Sequence, residues 1–368
     1  MAVAVVVLHH AGAATLAATA TARGHAFWGN LVAGSTASGV ELFFVLSGIV
    51  LLRPYLRLQR PLRTGVYVGR RIQRLWPPFL AAWLIAGLTV ALVTRYPTEW
   101  TRSAKLAVFD WGDWLSQIGI VYLGSNSFNP AWWSLTVEIL FYALVPLIVV
   151  LVSRSNPSRQ AMLRLWFVCA LAAVAAQATG LDDGAQPLRS LGRFAVYVSC
   201  FATGVLLAAH DLPGRWGKWL AGVGFVYVVA ACAFPSANAH VGWGLVYFGL
   251  VVVALDETSS VARYLRAWPL VWLGERSYSL FLVHMSMLTL ASTATSTFVH
   301  GKGATYFLIS RLVGLPLALF GAMVIFSVVE RRFAHGLVSA HAFWPTLRQP
   351  ELTTAAPQAP AAVVSKRY

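Results

Sequence analysis

Charge is scarce in this chain, and negative charge above all: Asp and Glu number 13 against 28 Lys and Arg, and the four types together make up 11% of 368 residues. A soluble domain carries about a quarter charged residues, so a soluble globular enzyme is excluded at the outset. Cysteine is nearly missing too. Cys169, Cys200 and Cys232 stand far apart in apolar segments, which argues against a disulfide framework or a zinc site. No Gly-rich phosphate loop, HExxH or paired CxxC occurs, so those metal and nucleotide chemistries have no foothold and no metal is expected.

Apolar sequence fills the space. Hydrophobic residues make up 58% of the chain and the mean hydropathy is +0.66, values that belong to an all-α polytopic protein of the lipid bilayer, multi-pass in the cell membrane. Ten apolar runs can cross the hydrocarbon core: 1 to 20, 40 to 58, 76 to 95, 131 to 152, 163 to 180, 191 to 209, 217 to 234, 241 to 256, 277 to 296 and 306 to 329. Trp28, Trp76, Trp100, Trp132, Trp133 and Trp268 fall near run ends, where amphipathic rings suit the headgroup layer. The segment 105 to 125 holds Lys105, Asp110, Asp113 and Gln117 and is expected to be interfacial or re-entrant. With ten spans and both termini cytoplasmic, 20 of the 28 basic residues face inward, as the positive-inside rule requires. An eleventh span would reverse that bias.

A net charge of +15 invites a nucleic-acid partner. The arginines lie between apolar runs and not on a basic face interleaved with aromatics, so no nucleic acid is expected. Residues 1–335 form the transmembrane domain. Residues 336–368, rich in Pro and Ala and without a periodic apolar face, are expected to be a disordered cytoplasmic tail. A cleaved leader at the first run is disfavoured by the missing basic n-region.

Three apolar runs carry an ionisable anomaly: Glu138 in AWWSLTVEILFYALVP, His9 and His10 in the first run, and His284 in SYSLFLVHMSML. Such groups are costly in a bilayer and mark function by default. Glu138 follows Ser134 by four residues and precedes Tyr142 by four, which puts all three on one helix face. Its carboxylate suits orienting an imidazolium or binding hydroxyls, with a structural clasp between helices as the alternative. For each His the alternative is a ring satisfied by a backbone carbonyl. The stretch from Arg53 to Arg74 holds seven arginines and no acid, which fits either a topology signal or a site for phosphate oxyanions. Ser47 and Gly48 in FFVLSG lack the context of a nucleophile elbow and read as a small-residue helix contact. Glu330 with Arg331 and Arg332 reads as an interfacial capping cluster.

Taken in order, LHHAG, ELFFVLSGIVLLRPY, RRIQRLWPPF, WWSLTVEILFYALVPL, LGERSYSLFLVHMSML and VVERRF resemble the successive signatures of the integral-membrane acyltransferase 3 family, from the first span to the last. The resemblance implies transfer of an acyl group, often acetyl from acetyl-CoA, to a hydroxyl of a carbohydrate or a sugar-bearing small molecule. No permanently bound cofactor is implied, and acyl-CoA is the co-substrate. His10, which directly precedes Ala11 and Gly12, matches the family's first-span His and is expected to be the base, with Glu138 beside it in the catalytic role. Arg70, Arg71 and Arg74 match its basic motif and are expected to hold the CoA phosphates. His284 matches a family His as well, either catalytic or a core hydrogen bond. The family pattern also has an Arg eleven residues before the first-span His, two positions upstream of Met1, and an in-frame upstream extension encoding it is expected. The competing function is a transporter of a glycan or metabolite with His and Glu as proton relay, although no internal repeat supports it.

Overall fold

The computed structural model describes residues 1–97, 111–119, 129–181, 183, 188–233, 239–256, 258–299 and 304–334, and among these every regular element is helical. In chain order they are α1 (Ala2–Leu8), a π-helical turn (His9–Ala13), α2 (Ala14–Ala22), α3 (Ala26–Ala37), α4 (Gly39–Leu56), α5 (Thr64–Arg95), α6 (Trp111–Ser116), α7 (Trp133–Ser155), α8 (Arg159–Ala178), α9 (Leu188–Ala209), α10 (Gly214–Ala233), α11 (His240–Leu255), α12 (Ser260–Leu265), α13 (Trp268–Glu275), α14 (Ser277–Phe298), α15 (Ala304–Ile325), a second π-turn (Phe326–Glu330) and α16 (Arg331–Ala334). Side-chain caps fix several starts. Ser158 and Ser259 accept the amides of Ala161 and Ala262 at the heads of α8 and α12, satisfying donors that a first turn leaves unpaired.

Every apolar run of the sequence is helical. Among the described residues eight helices are long and apolar enough to cross a membrane, including Ala2–Ala22, Ala26–Leu56 and Thr64–Arg95. The chain is thus an all-α, multi-pass membrane protein. Two segments differ from expectation. The second span extends back through α3, and α5 begins at Thr64, so Arg70, Arg71 and Arg74 lie on a helix and not in a loop. Tyr67, Arg71 and Arg74 follow the 3.6-residue repeat along one face of it; Tyr67 is buried, Arg71 half-buried and Arg74 exposed, and Arg70, off that face, is exposed as well. Within the ambiguous segment, residues 111–119 form α6 and a 3₁₀ turn that pack on α5. Trp114 lies flat on Trp83 with ring centres 3.9 Å apart, and each indole N–H donates to the other residue's carbonyl, at 2.8 and 3.2 Å. Lys105, Asp110, Trp100 and the tail beyond residue 334 lie outside the described residues.

Helix α9 is the most enclosed, and it crosses α4 where Gly48 meets Gly204. A Cβ on either glycine would run into the other's backbone, so the SG pair of FFVLSG does permit close helix approach. Two apolar clusters result. One gathers Phe44, Phe141, Phe201 and Phe248 from α4, α7, α9 and α11. The other gathers Val7, Phe79, Trp132 and Leu282 around α1, α5 and α14. They meet where Phe43 stacks on Phe281, planes 5° apart, and the buried polar groups lie on both sides of this contact.

Candidate active site

A π-turn inserts one residue into the helical ladder and is common at functional positions. Here it carries both first-span histidines, and Gly12 closes it with φ 139°, a conformation that favours glycine. The ring of Phe307 occupies the space a Cβ at Gly12 would need. The two imidazoles diverge. His9 donates from Nδ1 to Thr36 Oγ1 at 3.0 Å, because the Thr36 hydroxyl spends its own hydrogen on the Val32 carbonyl at 2.7 Å. That contact clasps the turn to α3.

His10 turns the other way, and backbone oxygens fix the state of its ring. His284, fully buried on α14, points Nδ1 at the carbonyls of Phe281 and Leu280, 2.8 and 3.2 Å away. Carbonyls only accept, so His284 Nδ1 carries hydrogen and its Nε2 the lone pair. That lone pair lies 3.3 Å from His10 Nδ1, which is also 3.0 Å from the Val6 carbonyl. Two acceptors therefore share the His10 Nδ1–H. The remaining His10 nitrogen, Nε2, is left with the lone pair, the arrangement of an imidazole ready to take a proton.

Glu138 forms a second centre. Its Oε1 accepts from the Ser47 hydroxyl at 3.1 Å and, in a very short bond, from the Tyr142 hydroxyl one turn along its own helix. Ser47 is therefore a carboxylate partner as well as part of the small-residue crossing. Ser134, the other member of the anticipated face, turns to the Ala131 carbonyl. The guanidinium of Arg71 faces the rings of Tyr67 and Tyr142 at 5.6 and 5.9 Å, and its buried Nε has no partner. Charges on Arg74 and Arg71 both act on Glu138. The carboxylate thus meets the arginines of α5 and is bonded to neither histidine.

The remaining sequence expectations divide. Arg57 is tied to Asp211 in an exposed ion pair. Glu330 is buried and turned inward to the Ser279 hydroxyl, with Arg74 and Arg276 the cations acting on it. This corrects the capping cluster expected with Arg331 and Arg332, both of which are exposed. The π-turn explains the change, since it rotates Glu330 off the surface face that an uninterrupted helix would give it. Tyr278 links the two centres along α14: its hydroxyl donates to the Leu75 carbonyl at 2.9 Å, and it lies within electrostatic reach of Glu138 and Glu330.

Sequence reasoning missed several groups. Asn129 and Trp132 both donate to the Leu282 carbonyl, at 3.1 and 3.2 Å, and pin the head of α7 to the helix of His284. The Asn-Pro step before the apolar run was the available signal, since Asn129 also caps the Pro130–Trp132 turn through the Ala131 amide. Glu41, almost fully buried, pairs with His240 Nδ1 at 2.5 Å. An acid in ELFFVLSG is the same anomaly that singles out Glu138. Among the described residues no group of His, Cys, Asp and Glu could hold a metal ion.

The described helices thus enclose a tautomer-fixed imidazole pair and, apart from it, a buried carboxylate near the arginines of α5. The chain belongs to the acyltransferase 3 family, whose model, described as an acyltransferase domain, matches residues 1–331. It is similar to the O-acetyltransferase OatA of Staphylococcus aureus, with 24% identity over 353 residues, 83% of this chain and 54% of that protein. It also resembles the putative peptidoglycan O-acetyltransferase YrhL of Bacillus subtilis, with 24% identity over 284 residues, 69% of this chain and 44% of that protein. The chain thus spans about half the length of the curated relatives it matches. No solved structure matches it.

Proposed function

We propose that this protein is a membrane O-acyltransferase that moves an acetyl group from acyl-CoA to a hydroxyl of an envelope carbohydrate, with peptidoglycan-type glycan as acceptor. The observation that carries the reading is the ordered hydrogen-bond chain from the α14 carbonyls through His284 to His10, which leaves His10 Nε2 as the proton acceptor. The family and the two relatives favour acyl transfer over transport. In the reaction the acceptor oxygen bonds to the thioester carbonyl carbon while its proton passes to His10 Nε2. Collapse of the tetrahedral intermediate expels the CoA thiolate, which takes that proton. Arg71 and Arg74 suit the CoA phosphates, because an arginine fork matches phosphate oxygens; the Tyr142 ring faces the Arg71 guanidinium, and the Glu138 carboxylate offsets positive charge beside both. Arg70 contributes less, since it lies off the face that Tyr67, Arg71 and Arg74 share.

Membranes containing the protein, given radiolabelled acetyl-CoA and chitopentaose, are expected to yield alkali-labile label on the sugar, and His10→Ala membranes none. Release of CoA without labelled sugar, or equal labelling by His10→Ala, would sink the reading.

A further inference from the structure

One charged group inside a span belongs to neither centre. Arg311 lies in the eighth position of α15, facing α14, where its Nη1 donates to Ser292 Oγ at 2.9 Å. Its guanidinium sits 5.3 Å from the ring centre of Phe307. Among the described residues its buried Nε has no partner and no carboxylate is bonded to it. An arginine in a bilayer span is costly and as a rule pairs with an acid or serves a ligand. An unsatisfied buried N–H adds to that cost.

The surroundings of Arg311 lead back to His10. Phe307, the ring under the guanidinium, is the ring that fills the space beside Gly12, two residues beyond His10 in the π-turn. Helix α15 packs directly against that turn, and α14 supplies both Ser292 for Arg311 and His284 for His10. Ser292 is itself buried, and the Tyr306 hydroxyl donates to its carbonyl at 3.0 Å. The cation is therefore held on two sides, one aromatic ring away from the turn that carries the imidazole.

Resting on the acyl-transfer reading above, we propose that Arg311 is the oxyanion-binding residue of the site, its unpaired Nε–H taking the acyl carbonyl oxygen as negative charge develops there. When the acceptor oxygen bonds to the carbonyl carbon, the C=O electron pair moves onto oxygen and the acceptor proton goes to His10 Nε2. The oxyanion faces the guanidinium, and collapse restores C=O and releases the thiolate. Cations and oriented N–H donors at a developing oxyanion act strongly where water is excluded. Phe307 supplies that exclusion and Ser292 the orientation.

Two measurements on the full chain in maltoside micelles test this. In the first, Arg311→Gln lowers kcat for acetyl transfer from acetyl-CoA to chitopentaose by about 100-fold with the KM for acetyl-CoA changed little, and Arg311→Lys recovers part of the loss. An unchanged kcat, or a change confined to KM, overturns the assignment. So does loss of co-purified phospholipid at unchanged kcat, since the guanidinium would then hold a lipid phosphate. The second needs no turnover. Methylphosphonate mimics the tetrahedral acetyl oxyanion, and its 31P line is expected to broaden with the wild type and with His9→Ala but not with Arg311→Gln. No broadening by the wild type, or equal broadening by Arg311→Gln, also overturns it. A wild type that binds methylphosphonate yet transfers no acetyl group defeats the broader acyl-transfer reading and leaves the anion site standing.

Discussion

Replacing His284 with Gln removes the acceptor that helps hold the His10 Nδ1–H while keeping a polar side chain of similar reach. The Val6 carbonyl oxygen stays 3.0 Å from Nδ1, so the ring keeps one of its two acceptors and does not lose its orientation. In the ground state the lost bond is neutral and 3.3 Å long, worth about 1 kcal/mol. Once His10 accepts the proton, the same bond is made to an imidazolium and is worth about 1.5 to 3 kcal/mol. The difference, about 0.5 to 2 kcal/mol, falls on kcat as a loss of roughly 2- to 30-fold, with less effect on the KM of either substrate. His10→Ala removes the base and should cost more, up to about 10⁴-fold. The assay is initial-rate transfer of labelled acetyl from acetyl-CoA to chitopentaose. Nitrogen-15 shifts of the histidine rings read the tautomer directly: His10 should be Nδ1-protonated in the wild type and remain so in His284→Gln, where the Val6 carbonyl still accepts. A kcat within twofold of wild type, or a wild-type His10 protonated at Nε2, would refute the reasoning.

Other outcomes follow from the same geometry. His9→Ala should retain most transfer activity and lose thermal stability, because its ring bonds to Thr36; a rate loss equal to that of His10→Ala would reverse the assignment of the two rings. Arg71→Gln and Arg74→Gln should each raise the apparent KM for acetyl-CoA about tenfold or more, Arg70→Gln less, and Arg57→Gln not at all; uniform behaviour of the four would mark the arginines as a topology signal. Gly48→Leu should lower stability by about 1 to 3 kcal/mol through overpacking, read as a melting shift in detergent, and an unchanged melting temperature would contradict the Gly48–Gly204 crossing.

The helices were legible because apolar runs leave the chain little choice in a bilayer, where every backbone polar group must be paired within the segment. The cost of burying charge likewise made Glu138, His10 and His284 visible before any contact was known. Which of them meet was not. His10 and His284 are 274 residues apart, and nothing local in either segment encodes the pairing. The Thr64–Gln73 stretch read as loop because its arginines mask a helical repeat that shows only once Tyr67 and Arg71 turn to one side. Glu41 and Arg311 broke the same rule as Glu138 but drew no notice, one at the head of an apolar run and the other in the last span. The tautomer of His10 depends on carbonyl positions, and no residue identity reveals those.

The Leu282 carbonyl, which receives Asn129 and Trp132 together, bears on how substrates reach the interior. Two buried side-chain donors on one oxygen make the seam between the head of α7 and the middle of α14 expensive to part, since opening it would strand both donors in a dry environment. On the acyl-transfer reading proposed above, the substrates would enter by another route. Movement of α14 would carry the head of α7 along with it, so the two elements behave as one unit at this seam.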